Sequence, residues 1–93
     1  MQSASTTIRN KTGLHARPAS DFVAAAKGYA SKVTIRATDE AEDTAVSAKS
    51  IVMLLAQGFE QGREVTITAN GEDEDKAVAE LVELIDSGFG EDE

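Results

Sequence analysis

The apolar residues of this sequence change their spacing several times along the chain, from every second residue to every third or fourth. A period of two is typical of strands with one buried face, and a period near 3.6 is typical of helices that bury one side. The alternating pattern predicts strands at residues 3–9, 32–38, 44–47 and 64–69, and the helical pattern predicts helices at residues 16–27, 50–57 and 73–87. The order βαββαβα predicts an α+β fold, an open-faced sandwich in which the helices cover one face of a single sheet.

The chain is long enough for one modest core. It has 93 residues, of which 41% are hydrophobic, and it contains no cysteine, so packing without disulfides must stabilise it. We therefore expect a single domain over residues 1–93, with ends that fray at about residues 1–4 and 88–93. No stretch approaches the roughly 20 apolar residues of a membrane span. The expected protein is a cytoplasmic monomer without membrane insertion.

The charge of the chain limits its partners. Acidic residues outnumber basic residues by 17 to 9, and the formal net charge is −8. Such a field repels phosphates, so nucleic acid is not an expected partner. The acidic side chains are concentrated at residues 39–43, 72–75 and 91–93, which predicts solvated loops and helix ends. We expect no metal, because one histidine and no cysteine provide no set of nitrogen and sulfur ligands, and no cofactor.

One segment places a histidine and an arginine at the beginning of the first predicted helix. It reads Gly13-Leu14-His15-Ala16-Arg17-Pro18, and Pro18 fits the first turn because the earliest amides have no acceptor within the helix. A helix N-terminus carries about half a positive charge, so Arg17 is mildly unfavourable there without an anion. The unpaired amides, the helix dipole and Arg17 together predict a phosphate site with His15 inside it. A neutral imidazole nitrogen can attack phosphorus and form a phosphohistidine.

Three other interpretations of this segment are open at the level of sequence. In the first, His15 only caps the helix and Arg17 is solvated. In the second, the chain is a ferredoxin-like regulatory domain that senses a small molecule, and His15 is incidental. In the third, it is a small phosphatase whose first loop holds phosphate with Asn10 and with Arg9 or Arg17. Replacing His15 would separate the carrier from the sensor, since only the carrier would lose phosphoryl acceptance.

The second predicted helix begins at a serine that can cap it. The Ser50 hydroxyl is placed to accept a hydrogen bond from an amide of the first turn. Helical spacing predicts that Ile51, Leu54 and Leu55 form the buried stripe. Val52 and Met53 then lie on its flanks. This pattern predicts a short helix packed on the sheet.

Three segments resemble those of one protein family. The segment Gly13-Leu14-His15-Ala16-Arg17-Pro18-Ala19 is similar to the active-site motif of HPr, the histidine-containing phosphocarrier of the phosphoenolpyruvate-dependent sugar phosphotransferase system. Residues 47–51 resemble the regulatory-serine segment of that family, and residues 71–78 resemble the turn that leads into its last helix. The likeness extends from about Thr6 to Gly90.

The resemblance implies a function and the residues that perform it. Enzyme I, charged by phosphoenolpyruvate, would phosphorylate Nδ1 of His15. The backbone amides of Ala16 and Arg17 and the Arg17 guanidinium would bind the phosphate, and IIA proteins would receive it. An ATP-dependent HPr kinase would phosphorylate Ser50 and repel partners by adding about −1.5 to −2 charges. Such a protein is a stoichiometric carrier and not an enzyme.

The resemblance also implies a fold and a docking surface. The family fold is a four-stranded antiparallel sheet covered on one face by three helices. Its docking surface maps onto Ala19, Ser20, Ile51, Val52, Leu55 and Ala56. Helical spacing favours core positions for Ile51 and Leu55, so the part of these two residues in docking is open.

Overall fold

The computed structural model describes residues 1–90 and contains four strands and three helices. In chain order these are β1 (Gln2–Thr7), α1 (Ala16–Lys27), β2 (Lys32–Ala37), β3 (Val46–Ser47), α2 (Ile51–Gln57), β4 (Glu64–Asn70) and α3 (Glu74–Asp86), with short 3-10 turns at Glu42–Thr44 and Gly88–Gly90. The predicted order βαββαβα is confirmed. Within residues 1–90, no helix is long and apolar enough to cross a membrane.

The four strands form one antiparallel sheet in the order β1-β4-β2-β3. Strand β4 pairs with β1 on one side and with β2 on the other, and β3 adds two residue pairs at the outer edge of β2. Thr7, at the end of β1, lies opposite Glu64, at the beginning of β4. This pairing places the loop that follows β1 beside the loop that precedes β4, and these two loops form the site described below.

The core lies between the sheet and the helices. Alternate residues of the strands point inward, as predicted, among them Val33 and Ile35 of β2 and Val65 and Ile67 of β4. The buried helix residues are Pro18, Ala19, Phe22, Val23 and Ala26 of α1, Leu54 of α2, and Ala77, Val78, Leu81 and Ile85 of α3. Leu84, which the helical pattern also places on the inner face of α3, is only partly buried.

The N-terminal residues, for which we predict fraying at about residues 1–4, belong to the sheet from Gln2 onward. Gln2, Ser3 and Ala4 belong to β1 and pair with residues 67–69 of β4. Backbone pairing to an inner strand orders this segment, and sequence pattern alone gave only a weak signal for it. At the other end, Gly88–Gly90 forms a 3-10 turn. Residues 91–93, also predicted to fray, lie outside the described residues.

A carboxylate joins α3 to the connection between α1 and β2. Asp73 accepts hydrogen bonds from the backbone N–H groups of Ala30 at 2.8 Å and Ser31 at 2.9 Å, and from the Ser31 hydroxyl. The bond from the Ser31 hydroxyl, aided by the backbone amides, lowers the pKa of Asp73 from 3.8 to about 2. Burial, and then a hydrogen bond donated to Glu80, raise the pKa of Tyr29 to about 12, so this phenol stays a neutral donor.

Two arginines hold the acidic turn that follows β2. Nη1 of Arg36 donates to the carbonyls of Thr38 and Glu40, each at 3.0 Å. Nη2 of Arg63 lies 3.2 Å from Asp39 Oδ1 and 3.4 Å from Glu40 Oε2. The predicted strand at residues 44–47 is correspondingly shorter, since Glu42–Thr44 forms a 3-10 turn and only Val46–Ser47 pairs with β2.

Candidate functional site

The loop between β1 and α1 is bonded to the loop between α2 and β4. The Leu14 N–H donates to the carbonyl of Phe59 at 2.9 Å, and the Gly62 N–H donates to the carbonyl of Ile8 at 2.8 Å. The side chains of Ile8, Leu14 and Phe59 are buried between the two loops and the core. The backbone that precedes His15 is therefore held in place from the side that faces the core. Sequence reasoning missed the contribution of the second loop, because nothing in residues 58–62 shows which loop they meet.

A glycine allows this close approach. Gly13 has a φ of +67°, and a Cβ atom there would lie only 2.4 Å from the carbonyl oxygen of Phe59. A side chain at position 13 would thus clash with backbone atoms and also be strained by the left-handed conformation. Gly13 is therefore required both by the turn and by packing against the neighbouring loop.

Asn10 lies in this loop as a structural residue. It is completely buried, and its Nδ2 donates to the carbonyl of Gly13 at 2.8 Å. The phosphatase interpretation has Asn10 hold phosphate, and this assignment is wrong because the side chain is buried and turns into the loop. A buried role was not foreseen from the sequence, where asparagine before a lysine and a glycine indicates only a turn.

His15 is the N-cap residue of α1, at the point where the chain leaves the core. Its backbone is extended, with φ −132° and ψ 160°, and its side chain makes no capping hydrogen bond. The part of the first interpretation in which the His15 side chain caps the helix is therefore wrong, whereas Arg17 is solvated as that interpretation expects. Leu14 before it and Pro18 after it are buried, whereas the imidazole is only partly buried. These two anchors hold the backbone and leave the ring available for a reaction.

The first turn of α1 has strained backbone and unpaired amides. Ala16 has a φ of +52°, a conformation that costs an L-residue about 1–2 kcal/mol. The N–H groups of a first helical turn have no acceptor within the helix, and within residues 1–90 those of Ala16 and Arg17 donate to no other backbone carbonyl. Two amides and the positive end of a helix next to a histidine form a site that suits a phosphate group.

The Arg17 side chain is largely in solvent. Its side chain is 91% exposed, and its Nε lies 3.9 Å from Asp21 Oδ2, one helical turn further along. An exposed pair of this kind contributes about 0–1 kcal/mol, so it does not fix the guanidinium. The predicted phosphate clamp is therefore a mobile cation here, and the backbone amides are the rigid part of the site.

The predicted docking residues divide into a buried and an exposed group. Ala19 is fully buried against the core and therefore presents no surface to a partner, so this assignment is wrong. Ser20 is exposed and, with Val23, Ala24, Lys27 and Ile51, lines a shallow groove between α1 and α2. Helical spacing alone could not show which side of α1 faces the sheet at position 19.

Helix α2 carries an exposed apolar surface. Ile51, Val52, Met53 and Leu55 are 36%, 72%, 47% and 41% exposed, and Ala56 is exposed as well. The prediction that Ile51 and Leu55 belong to the core is wrong, because only Leu54 of this helix is buried. We call Ile51, Val52, Leu55 and Ala56 the α2 patch.

Ser50 caps α2 as predicted. Its Oγ accepts from the Met53 N–H at 3.3 Å, and its own backbone is extended. Beside it, Nζ of Lys49 donates to the carbonyl of Tyr29 at 2.7 Å. The hydroxyl of Ser50 thus lies at the base of the α2 patch and is partly buried.

Residues 2–87 match the family described as PTS HPr component, phosphorylation site. The chain belongs to this family. It is a phosphocarrier component of the phosphotransferase system and not an enzyme. The family match displaces the interpretation as a ferredoxin-like sensing domain. Within residues 1–90, no three histidine or acidic side chains are grouped as a metal site.

Relatives share the sequence over most of its length. The phosphocarrier protein HPr of Borreliella burgdorferi is 45% identical over 80 residues, which cover 86% of this chain and 88% of that protein. The phosphocarrier protein NPr of Escherichia coli K12 is 36% identical over 85 residues, which cover 91% of each. The multiphosphoryl transfer protein of Haemophilus influenzae is 42% identical over 85 residues, but this chain spans only 17% of its length.

Solved structures confirm the fold. The crystal structure of HPr-C-His from Thermoanaerobacter tengcongensis has a TM-score of 0.90 and 42% identity, with all of both chains covered. The crystal structure of an HPr dimer from the same organism has a TM-score of 0.73 and 43% identity, and covers 98% of this chain and 100% of that one. The predicted four-stranded antiparallel sheet with three helices is thus the family fold.

Proposed function

We propose that this chain accepts a phosphoryl group from phosphorylated enzyme I on Nδ1 of His15 and passes it to IIA proteins. The observation that carries the proposal is the position of His15. His15 occupies the N-cap position of α1, its side chain makes no capping bond, and it directly precedes two amides that lack helical acceptors. A phosphate on this imidazole would lie at the positive end of the helix.

The transfer exchanges the bond between phosphorus and the donor for a phosphorus–nitrogen bond to His15. Nδ1 of His15, unprotonated in the neutral ring, attacks phosphorus while the bond between phosphorus and the donor group of enzyme I breaks, and the donor atom leaves with its electron pair. The amides of Ala16 and Arg17 bind the phosphoryl oxygens, and the mobile Arg17 guanidinium adds a charge-assisted bond. In the second transfer, a nucleophilic group of the IIA protein attacks phosphorus, and Nδ1 of His15 leaves with its electron pair.

A carrier must release the group as readily as it takes it. The site is suited to release, because His15 is at the surface and its surroundings are two amides and one mobile cation instead of a deep cavity. We propose a cytoplasmic monomer in which one face meets donor and acceptor in turn. Size-exclusion chromatography with light scattering tests this state, and a stable dimer at micromolar concentration would contradict it.

We further propose that the α2 patch and Ser20 dock both partners. The patch is apolar, exposed and continuous with the groove beside α1. Phosphorylation of Ser50 by an HPr kinase would place about −1.5 to −2 charges at its base and weaken docking. Ser50→Asp, which keeps a good N-cap residue, is expected to slow transfer from enzyme I and to leave reaction with a small phosphoryl donor unchanged.

The decisive test is mass spectrometry after incubation with two phosphoryl donors. The first is enzyme I with phosphoenolpyruvate and magnesium, and the second is phosphoramidate, which needs no docking surface. We expect one acid-labile phosphoryl group with either donor and none on the His15→Ala variant. Phosphorylation of the His15→Ala variant, or no phosphorylation of the folded wild type by either donor, would contradict the proposal. Phosphorylation by phosphoramidate alone would instead remove enzyme I as the partner.

A further inference from the structure

The peptide group between Gly13 and Leu14 is fixed at both ends, immediately before His15. Its N–H, on Leu14, donates to the carbonyl of Phe59 at 2.9 Å, and its carbonyl, on Gly13, accepts from Nδ2 of Asn10 at 2.8 Å. The peptide plane therefore cannot rotate without breaking a buried hydrogen bond. The first bond joins two main-chain groups, so only the second depends on the identity of a side chain.

The Asn10 side chain is placed to donate this hydrogen bond from within the loop. It is fully buried, and its backbone carbonyl accepts from the Gly13 N–H at 3.1 Å. Its Nδ2 also lies 3.2 Å from Oγ1 of Thr12. Its Oδ1 is buried and has no hydrogen-bond partner within residues 1–90. A buried oxygen without a partner is unfavourable. We therefore attribute the presence of asparagine here to the hydrogen bond that its Nδ2 donates.

From these contacts we propose that Asn10 is a positioning residue for phosphoryl transfer through His15, an inference that rests on the proposed function. Asn10 itself does not touch the phosphoryl group. It fixes the direction in which the backbone reaches His15, and thereby the place of the imidazole relative to the amides of Ala16 and Arg17. A displacement of about 1 Å between reacting groups can slow a reaction about 100-fold.

The test compares two substitutions that remove the donor. Asn10→Ala deletes the carboxamide, and Asn10→Asp keeps its shape but offers only oxygen atoms at pH 7.5. Each variant is phosphorylated with phosphoramidate and with phosphorylated enzyme I, at a temperature where circular dichroism shows that it is folded. We expect the maximal rate to fall about 10- to 100-fold with both donors. The KM of enzyme I for the chain should stay within about twofold, because the α2 patch is unchanged.

Two further variants separate positioning from stability. Val78→Ala, in the buried face of α3, lowers stability without touching the loop and should keep the wild-type rate. Asn10→Ser restores a shorter donor and should recover part of the rate. If Asn10→Ala does not fold, the comparison of Asn10→Ser with Asn10→Asp replaces it. Wild-type rates in the Asn10 variants, or an equal loss in Val78→Ala, would overturn the inference. Failure of the wild type to gain a phosphoryl group on His15 would instead refute the proposed function.

Discussion

His15 owes its placement to neighbours that carry no reactive group. Leu14 and Pro18 anchor the backbone on either side, Gly13 allows contact with the next loop, and Asn10 bonds the peptide ahead of it. The backbone at His15 is therefore held in place without a capping hydrogen bond from the ring. At the scale of single residues, the site depends on the close approach of the Gly13 backbone to Phe59 in the neighbouring loop. Substitution of this glycine measures that dependence.

Gly13→Ala and Gly58→Ala form a matched pair for this measurement. Both glycines have almost the same φ, +67° and +66°, but only at Gly13 would a Cβ atom meet other atoms. We expect Gly58→Ala to destabilise by about 1–2 kcal/mol through backbone strain alone. Gly13→Ala should lose clearly more and should also accept phosphoryl slowly, because the loop must move. Urea unfolding and the phosphorylation rate check this. Equal losses in the two variants would show that contact with Phe59 is unimportant.

At the scale of secondary-structure elements, side chains at helix ends join segments that are distant in sequence. Asp73 occupies the N-cap position of α3 but makes no capping bond and instead binds the segment between α1 and β2. Lys49, just before α2, reaches the carbonyl of Tyr29 in the same segment. These bonds connect all three helices at the end of the molecule where α1 terminates.

The bond between Ser31 and Asp73 predicts a specific acid dependence of stability. The folded-state pKa of Asp73 is lowered from 3.8 to about 2, chiefly by the Ser31 hydroxyl. A lowered pKa stabilises the fold above the unfolded-state value and stops doing so as pH falls through the folded-state value. We expect this contribution to disappear between about pH 4 and pH 2, and the dependence to be shallower in Ser31→Ala.

Carbon-13 chemical shifts of the Asp73 carboxyl, followed during titration, give its pKa directly. Urea midpoints at the same pH values give the stability. A wild-type pKa near 4, or identical acid dependence in wild type and Ser31→Ala, would show that the hydroxyl does not hold the carboxylate.

At the scale of the whole molecule, charge is divided unevenly along the chain. Residues 1–38 contain six basic residues and one acidic residue, whereas residues 39–93 contain three basic and sixteen acidic residues. Cations therefore precede and follow His15 in the sequence, while the acidic turn after β2 and helix α3 carry most of the negative charge. Within an envelope of 35 × 26 × 21 Å, many of the carboxylates lie within range of each other at low ionic strength.

The excess of negative charge predicts that salt stabilises the protein. Self-repulsion from a net charge of −8 opposes the compact state, and added ions shorten the screening length from about 30 Å at 0.01 M to about 3 Å at 1 M. We expect the thermal midpoint to rise by several degrees over this range, since about 1 kcal/mol corresponds to about 4–8 °C for a domain of this size. Sodium and potassium chloride should act alike. A fall with salt would mean that ion pairs such as Arg63–Asp39 outweigh the repulsion.

The sequence by itself determined the elements, their order and the motif around His15. Alternation and helical spacing are local properties, so every predicted strand and helix is present, although β3 is only two residues long. The N-cap of α2 at Ser50 was likewise predictable, because a cap is a contact between residues three apart. The family could be inferred for the same reason, since the motif is contiguous in the chain.

Only the tertiary structure decided which side of each helix is covered and what the loops meet. Ala19 is buried and Ile51 and Leu55 are exposed, although spacing alone treats all three as apolar positions of equal standing. The burial of Asn10 and the contact of Gly13 with Phe59 depend on two loops that pairing of β1 with β4 brings together across about 45 residues. Contacts between residues so distant in sequence arise from sheet order, and no local pattern of residues encodes them.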